Sequence, residues 1–326
     1  MSHEYDFSFR SMGSEIRFLI GPSLVPGTLA PEDAAQRERR FVLSFASRLS
    51  RFDPASELSL LNHDPRPEVP ASALLCAAAA AGVWAAQRTG GLVDPTLVEA
   101  IERTGYTSSH DEFEPASLTE ALEHAPARRP ASPASPPRWT QVGVDAQDAT
   151  IRRPPGVMID TGGTGKGLCA DAVAHRLSGY TRYVVDCGGD IAVGGVGAQL
   201  DPYEIEVEHP LTHVPIGTVR LGRGGIATSG LNVRIWRTAA GEFAHHLLDP
   251  YSGRPVWSGV IGATAVGDSA LAAETLSKAA LLLGPAGARE VLAEHGGLIV
   301  HDDGHVEAIG PLPLRLYDTP PVVAGA

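Results

Sequence analysis

The feature that most constrains the fold is a series of short strand candidates in the second half of the chain, joined mostly by turns rather than helices. These segments show alternation or short apolar runs and lie at 183–186, 203–207, 218–221, 233–236, 243–248 and 260–266. Strands joined by turns pair in an antiparallel sense, because a parallel pair needs a long crossover. Segments 166–178 and 269–283 have helical patterns and should pack on the sheet. The sequence therefore predicts an α+β fold, and it shows no internal repeat.

A mostly helical segment precedes these strands. Apolar stretches on both sides of a break at 11–14 first predict a hairpin over residues 5–20. A helix should follow, with a buried face formed by Phe41, Phe45, Leu49 and Phe52. Further helices are predicted over 72–89 and from Asp94, which can serve as the N-cap before Pro95 at the first helical position.

The chain is expected to form one domain, 1–326, with three parts of different composition. The helical part covers about 1–106, and a sheet-rich part covers about 139–326. Between them, residues 107–138 are polar and end in a proline-rich run, which lacks the backbone donors that a sheet requires. We expect this stretch to be a surface loop. A chain of 326 residues with 43% hydrophobic content can bury a large core.

Charge and composition argue against several classes of partner. The formal net charge of −12 disfavours binding to a nucleic-acid backbone. No apolar run is long enough to span a bilayer, and the first ten residues lack the features of a secretory signal, so we expect a cytoplasmic protein with no membrane partner. Cys76, Cys169 and Cys187 are too few and too scattered for a disulfide framework or a metal knuckle, and they should be buried.

The most informative segment for function is the loop Asp160-Thr-Gly-Gly-Thr-Gly-Lys-Gly167, which leads into a helical pattern. Backbone N–H groups of such a loop can approach an anion closely. A Walker A motif is excluded because Gly167 stands where Ser or Thr is needed. The dinucleotide fingerprint is excluded because Leu168 stands at its third glycine. The loop alone leaves two interpretations open, an anion-binding loop or a tight glycine turn with a surface lysine.

Three further segments, at 187–190, 227–230 and 246–253, combine tight turns with polar side chains. Each is weak as a motif taken alone. His245 and His246 are neighbours on a predicted strand, so their rings should point to opposite faces and cannot easily bind one metal ion. A buried, hydrogen-bonded histidine explains one of them equally well.

Taken in chain order, six motifs resemble the FAD:protein FMN transferases, also called the ApbE or thiamine biosynthesis lipoprotein family. The motifs are Ser56-Glu-Leu-Ser-Leu-Leu-Asn62, Asp94-Pro-Thr96, Asp160-x-Gly-Gly-x-x-Lys-Gly-x-x-x-Asp171, Gly188-Gly-Asp190, Thr228-Ser-Gly230 and His246-x-x-Asp-Pro-x-x-Gly253. The resemblance runs from about Met12 to Gly284. It implies a two-lobed, T-fold-related α+β architecture with FAD in the cleft between the lobes. The implied reaction moves FMN from FAD to a Ser or Thr hydroxyl of an acceptor protein and releases AMP.

The same resemblance implies the residues of the site. The FAD-binding positions would be Met12, Asn62, Asp94, Thr96, Gly162, Gly163, Lys166, Asp171, Gly188, Gly189, Asp190, Thr228, Ser229, Gly230 and Lys278. Lys166 would neutralise phosphate charge during catalysis. His246 would be the catalytic base, since a neutral imidazole with a pKa of about 6.5 takes a hydroxyl proton at physiological pH.

In the family, Mg²⁺ is held by a backbone carbonyl of the glycine-rich loop and by Asp and Thr side chains four apart on a late helix. The matching residues here are Gly163, Glu274 and Lys278. Glu274 can replace the Asp, but the ammonium group of Lys278 cannot bind a cation. Two interpretations stay open. Either Glu274 and Lys278 form an ordinary helix pair and Thr275 or Ser277 supplies the missing oxygen, or Lys278 places its charge where Mg²⁺ would lie.

Loss of the metal would leave a second class of function open, because a bound cation is a strong charge stabiliser in phosphoryl transfer. Under that alternative, the chain is a divergent family member that binds or hydrolyses FAD without flavinylating a protein. A serine hydrolase is disfavoured because the motif Gly-x-Ser-x-Gly is absent from the sequence.

Overall fold

The computed structural model describes residues 4–108, 116–238 and 240–317. The helices are α1 (Pro31–Arg48), α2 (Glu57–His63), α3 (Ala73–Arg88), α4 (Val98–Arg103), α5 (Leu118–Glu123), α6 (Gly165–Arg176), α7 (Val196–Leu200) and α8 (Ala270–Leu292). Short 3₁₀ turns occupy Arg138–Gln141 and Leu231–Val233.

The strands of the first half are β1 (Tyr5–Ser11), β2 (Ser14–Ile20), β3 (Glu68–Pro70), β4 (Gly143–Asp145) and β5 (Thr150–Arg152). Those of the second half are β6 (Tyr183–Cys187), β7 (Asp190–Gly194), β8 (Tyr203–Glu208), β9 (Pro215–Leu221), β10 (Gly224–Gly230), β11 (Ile235–Arg237), β12 (Phe243–His245), β13 (Leu248–Asp249), β14 (Arg254–Pro255), β15 (Val260–Gly267), β16 (Gly297–His301), β17 (Val306–Ile309) and β18 (Leu314–Leu316).

One eight-stranded sheet with the order β1-β2-β6-β7-β10-β15-β16-β17 forms the centre of the molecule. Every pair of neighbours in it is antiparallel. Small sheets, β3-β5-β4, β18-β9-β8, β11-β12 and β13-β14, lie outside it. The predicted α+β class, with an antiparallel sheet and packed helices, is confirmed.

Helices α6 and α8 pack against each other and against the central sheet, α6 on β6 and β7 and α8 on β10 and β15. The contact between the helices is close because Gly167 has no side chain. A Cβ atom there would lie 2.8 Å from the Ala270 carbonyl oxygen and 2.8 Å from Glu274 Oε2. Gly225 of β10 is needed for a similar reason, since a Cβ atom would overlap the backbone of Ser269 and Ala270 at the start of α8.

The two helices also cap each other. Asp171 of α6 accepts hydrogen bonds from the backbone N–H groups of Ala270, at 2.8 Å, and Leu271, at 3.0 Å, at the start of α8. In return, Glu274 of α8 accepts one from the N–H of Gly167 in α6, at 2.9 Å. The first turn of a helix has N–H groups without intrahelical partners, so each carboxylate satisfies donors that its own helix does not contain.

Buried apolar side chains form two large clusters, which fits the expected two-lobed arrangement. One lies between the N-terminal hairpin and helices α1, α3 and α6, with Phe18, Phe45 and Leu75 among its members. The other lies around α8 and the far half of the sheet and includes Leu281 and Ile299. The central sheet contributes to both, so it links them.

Several predicted boundaries were wrong. The first helix begins at Pro31, ten residues before the predicted apolar face, and ends at Arg48. Asp94 is not the N-cap of α4, which starts at Val98; its carboxylate instead closes a turn onto Thr96. The predicted loop 107–138 contains α5, while 109–115 lies outside the described residues. The helix predicted over 269–283 continues as α8 past a break at Gly284, where φ is 71°.

Other predictions about this part of the chain were correct. The hairpin over 5–20 and the helix over 72–89 are β1–β2 and α3. All three cysteines are buried and unbridged.

No helix among the described residues combines the length and apolar character needed to cross a bilayer.

Candidate active site

A cleft of about 530 Å³ opens beside the N-terminal end of α6. Its walls come from segments that lie far apart in the sequence. The β1–β2 turn contributes Met12, the turn before α4 contributes Asp94, and the segment after β12 contributes His246. The glycine-rich loop, 160–166, and Lys278 of α8 complete the lining. The fold therefore brings together several of the positions that the sequence motifs predict.

Backbone hydrogen bonds fold the glycine-rich loop into the first turn of α6. The N–H of Gly165 donates to the Thr161 carbonyl at 2.7 Å, and that of Gly162 donates to Asp160 Oδ1 at 2.9 Å. Within the described chain, the N-cap residue Thr164 makes no side-chain cap and the first helical turn carries no acidic residue. The positive end of the helix dipole lies beside the cleft, where it favours an anion such as phosphate, although Glu274 already accepts from the Gly167 N–H of this turn.

Lys166 lies in the first turn of α6 and is held from behind by the β6–β7 turn. Its Nζ lies 2.8 Å from Asp190 Oδ2 and donates to the Gly188 carbonyl at 3.1 Å. Burial works against its charge, but Asp190 and Glu274 outweigh burial and raise the pKa of Lys166. The ammonium group is therefore a permanent positive charge in the cleft wall.

The two neighbouring histidines lie in different surroundings. His245 is fully buried, packs against Trp257 with ring centroids 4.9 Å apart, and accepts a hydrogen bond from the Leu247 N–H. Burial lowers the pKa of His245 to about 4. His246 lines the cleft, and its Nδ1 lies 3.4 Å from the Arg234 carbonyl oxygen. Donation from Nδ1 to that carbonyl leaves Nε2 as the acceptor, which is the form a general base needs.

The charge state of His246 also suits a base. Burial lowers its pKa well below the ordinary 6.5, and the nearby positive charges of Arg234 and Lys278 act in the same direction. The ring is therefore neutral at neutral pH and is ready to accept a proton.

Glu274 and Lys278 form a buried ion pair on α8, with Lys278 Nζ 2.7 Å from Glu274 Oε1. The other oxygen, Oε2, accepts the hydrogen bond from Gly167. Burial raises the pKa of Glu274, and the lysine charges of Lys278 and Lys166 oppose that effect. Among the described residues, no three His, Cys, Asp or Glu side chains are arranged to hold a metal ion. Gly163 and Glu274 do not fit the suggested Mg²⁺ site, because both Glu274 oxygens already accept hydrogen bonds and the ammonium group of Lys278 has no lone pair for a metal ion.

Two arginines that line the cleft are not predicted from the sequence motifs. Arg51 is 7% exposed at its side chain, lies 4.2 Å from the Phe52 ring centroid and donates to the Tyr106 carbonyl at 2.9 Å. Arg234 lines the cleft beside His246. Their positions in the sequence do not distinguish them from the other arginines, because only the tertiary fold brings them to the cleft. Together with Tyr106, they give the cleft an aromatic and positively charged wall suited to a ring system with phosphates.

Asp94 lines the cleft with one oxygen fixed and one free of hydrogen bonds from the described residues. Oδ1 accepts from the Thr96 N–H at 2.8 Å and from the Thr96 hydroxyl at 2.6 Å. Oδ2 is buried and unpartnered within the described chain. Burial raises the pKa of Asp94 against the lowering effect of Thr96. An unsatisfied buried carboxylate oxygen in a cleft is a candidate acceptor for a ligand donor.

Some predicted site residues lie behind the cleft wall and hold it in place. Asn62 exchanges two hydrogen bonds with the backbone of Ile159, at 2.8 and 2.9 Å, just before the glycine-rich loop. Thr96 orients Asp94, and Asp171 caps α8. These positions act through their neighbours rather than from the cleft surface.

The remaining predicted positions are also structural in this fold. Thr228 contacts Thr264 across two strands, and Ser229 joins β10 to α8 through Ser277, with oxygens 2.8 Å apart. Gly230 follows them, and an added Cβ would lie 2.5 Å from Asn232 Oδ1. The turn residues Gly188 and Gly189 both have positive φ, 70° and 88°, which explains the glycines.

A sequence profile of the ApbE family matches residues 12–300. Among similar proteins, a FAD:protein FMN transferase of Haemophilus influenzae is 27% identical over 311 residues, which cover 90% of this chain and 84% of that protein. One from Salmonella typhimurium is 29% identical over 146 residues, and that match spans 44% of this chain and 41% of the relative.

Solved structures show the same fold. The ApbE protein of Thermotoga maritima superposes with a TM-score of 0.75 at 24% identity, covering 94% of this chain and 97% of that one. The flavin transferase ApbE from Vibrio cholerae gives a TM-score of 0.73 at 20% identity, with coverage of 95% and 98%. At these identities the likeness concerns the fold alone.

Proposed function

The chain belongs to the ApbE family, and we propose that it transfers FMN from FAD to a Ser or Thr hydroxyl of an acceptor protein, with release of AMP. Relatives named FAD:protein FMN transferase support the proposal. The observation that carries it is the position of His246, which lines a cleft beside the N-terminus of α6 with its Nδ1 directed at a backbone carbonyl.

The reaction needs one proton transfer and one exchange of bonds at phosphorus. The acceptor hydroxyl oxygen attacks the FMN-side phosphorus of FAD, and His246 Nε2 takes the hydroxyl proton. The bond between that phosphorus and the bridging oxygen breaks, so the electron pair leaves with AMP. FMN is then joined to the acceptor through a phosphoester bond, and the proton on His246 is released to solvent.

Positive charge on the cleft wall stabilises the negative charge that grows on the leaving phosphate. Lys166, Lys278 and Arg234 supply it from three different segments, and the α6 N-terminus adds backbone donors. Each group is held before the ligand arrives: Lys166 by Asp190 and Lys278 by Glu274. Such preorganisation is the usual source of electrostatic catalysis.

A transfer assay tests this function. The purified chain is incubated with FAD and candidate acceptor proteins, AMP is measured by chromatography, and protein-linked FMN is measured by mass. We expect His246→Ala to lower the transfer rate by about 10²–10⁴-fold, since it removes a positioned base, while FAD affinity changes little. His213→Ala is the control, because that histidine is 66% exposed and pairs with Glu208 outside the cleft.

Three outcomes would contradict the proposal. FMN transfer by His246→Ala at the wild-type rate would show that His246 is not the catalytic base. AMP and free FMN without any protein-linked FMN would identify a hydrolase. If the chain binds FAD but releases no AMP with any of the acceptors tried, it is a flavin-binding protein and not a transferase.

A further inference from the structure

Only two of the chain's 26 lysine and arginine residues are lysines, and both line the cleft. Lys166 and Lys278 stand on different helices, yet both act on the same buried carboxylate, Glu274. The other members of that set are arginines. An ammonium group is a compact point charge with three donors, whereas a guanidinium group is a planar fork. Both ammonium groups of the side chains thus lie in the cleft wall.

Both oxygens of Glu274 are already engaged by the protein. Oε1 accepts from Lys278 Nζ at 2.7 Å, and Oε2 accepts from the Gly167 N–H at 2.9 Å. The side chain is 0% exposed. A divalent cation such as Mg²⁺ needs several free oxygen ligands in near-octahedral geometry. Glu274 could become such a ligand only through an oxygen that already accepts a hydrogen bond from Lys278 or from Gly167.

The lysine charges at this site are also paired without a metal ion. Lys166 pairs with Asp190 at 2.8 Å, and Lys278 pairs with Glu274. Each of the two ammonium groups therefore already has a carboxylate partner at the wall of the cleft, and Arg234 adds a further positive charge beside them. A divalent cation would enter beside two ammonium groups, and the repulsion would be strong because buried charges are weakly screened.

We propose that Lys278, held in place by Glu274, is the built-in cation that binds the diphosphate of FAD, and that this chain binds and cleaves FAD without a divalent metal ion. The inference rests on the proposed function for the identity of the ligand. One N–H of the ammonium group is donated to Glu274, and the two others can be donated to phosphate oxygens. Glu274 is then a positioning residue whose task is to aim Lys278.

The first test compares one protein with and without metal. FAD affinity of the full chain is measured by calorimetry in EDTA and again in millimolar Mg²⁺, and AMP release is followed under both conditions. We expect the Kd and the rate to agree within about twofold, since no bound cation is lost. FAD binding that is tenfold tighter with Mg²⁺, or that is absent without it, would overturn the proposal.

Variants test the role of Lys278. Lys278→Met keeps the length of the side chain without its charge, and we expect FAD to bind at least tenfold more weakly. Arg315→Met, an exposed position on β18, is the control. The double variant Glu274→Asp with Lys278→Thr restores the family's ligand pattern and should make FAD binding respond to Mg²⁺. Unchanged FAD affinity in Lys278→Met would refute the assignment.

A third measurement uses the wild type and so does not depend on how the variants fold. Because the chain has two lysines, acetic anhydride can acetylate only Lys166, Lys278 and the N-terminus among its amines. We expect saturating FAD to slow acetylation of Lys278 at least tenfold, as read by peptide mass. Equal rates with and without FAD would contradict a direct contact.

These readouts separate the inference from the proposed function. If FAD binds without metal and protects Lys278, yet no acceptor gains FMN, the transfer function fails and the role of Lys278 stands. If transfer occurs but requires Mg²⁺, the function stands and the role of Lys278 fails.

Discussion

Two carboxylates of this protein, Asp94 and Glu274, are buried in different ways. Glu274 has a partner for each oxygen, from Lys278 and Gly167. Asp94 has partners for only one, both from Thr96, and its Oδ2 finds none in the part of the chain that the structure describes. A buried polar atom without a hydrogen-bond partner lowers the stability of the folded protein. Such an atom in a cleft is therefore a candidate hydrogen-bond partner for a ligand.

Asp94→Asn should therefore stabilise the free protein and weaken FAD binding. Burial raises the pKa of Asp94, so the folded state disfavours the ionised form, and the wild type loses stability as the pH rises through that pKa. We expect a gain of about 1 kcal/mol in the free energy of unfolding at pH 7. The gain should vanish below the ordinary pKa of 3.8, where the carboxyl group is neutral in both states.

Thermal melts across this pH range, together with FAD calorimetry, check the prediction. FAD affinity should fall by roughly tenfold, the loss of one charge-assisted hydrogen bond. Asp201→Asn, at a carboxylate that is 80% exposed, is the control. A variant that binds FAD as the wild type does would show that Oδ2 has no ligand donor to accept.

At the scale of the elements, the packing of α6 against α8 depends on a close approach of the two helix backbones at Gly167. Gly167→Ala places a methyl group 2.8 Å from the Ala270 carbonyl oxygen and 2.8 Å from the Leu271 Cα. Alanine is the better helix former by about 1 kcal/mol, but backbone atoms cannot move aside as a flexible side chain would. We expect a net loss of about 1–3 kcal/mol, measured by urea unfolding.

The matched control for this substitution is Gly179→Ala. Gly179 has a negative φ, and a Cβ atom there meets nothing within 4 Å among the described residues. The control should be neutral or slightly stabilising, because alanine restricts the unfolded chain. If both variants unfold at the same urea concentration, the helix contact is looser than its geometry indicates.

Elements with local sequence signals could be predicted, whereas elements shaped by tertiary contacts could not. The hairpin β1–β2 and helix α3 show apolar patterning and turn or cap residues that act locally. Strand β10, at the centre of the sheet, was missed because its sequence Gly-Gly-Ile-Ala-Thr-Ser-Gly shows neither alternation nor β-branched runs. Its Gly225 allows α8 to start close to the strand, which is a tertiary requirement with no local signal.

At the scale of the whole molecule, the cleft is assembled from segments between Met12 and Leu282. The family resemblance predicted several residues on its surface, among them His246, Lys166 and Lys278. It could not separate these from Asn62 or Asp171, which support the wall from behind. That distinction depends on which side of each loop faces the cavity, and only the folded chain decides it.

A ligand that spans such a cleft should contact several of these segments at once and so stabilise the folded protein. We expect FAD to raise the melting temperature more than FMN or AMP does at the same concentration, because it alone engages both ends of the cleft and the cations between them. At 100 times its Kd, FAD would add about 2.7 kcal/mol to the free energy of unfolding. Differential scanning calorimetry with each ligand is the measurement. An equal or larger shift with FMN would show that the diphosphate is not recognised.

The mutual capping of α6 and α8 also sets an order of events during synthesis. The carboxylate that completes the first turn of α6 lies 107 positions further along the chain, at Glu274. At about 5–20 residues per second, the ribosome takes roughly 5–20 s to reach it after Gly167 has been made. The end of α6 that lines the cleft stays unfinished for that interval, and so does the cleft. The nascent protein therefore cannot complete its candidate site until α8 has emerged.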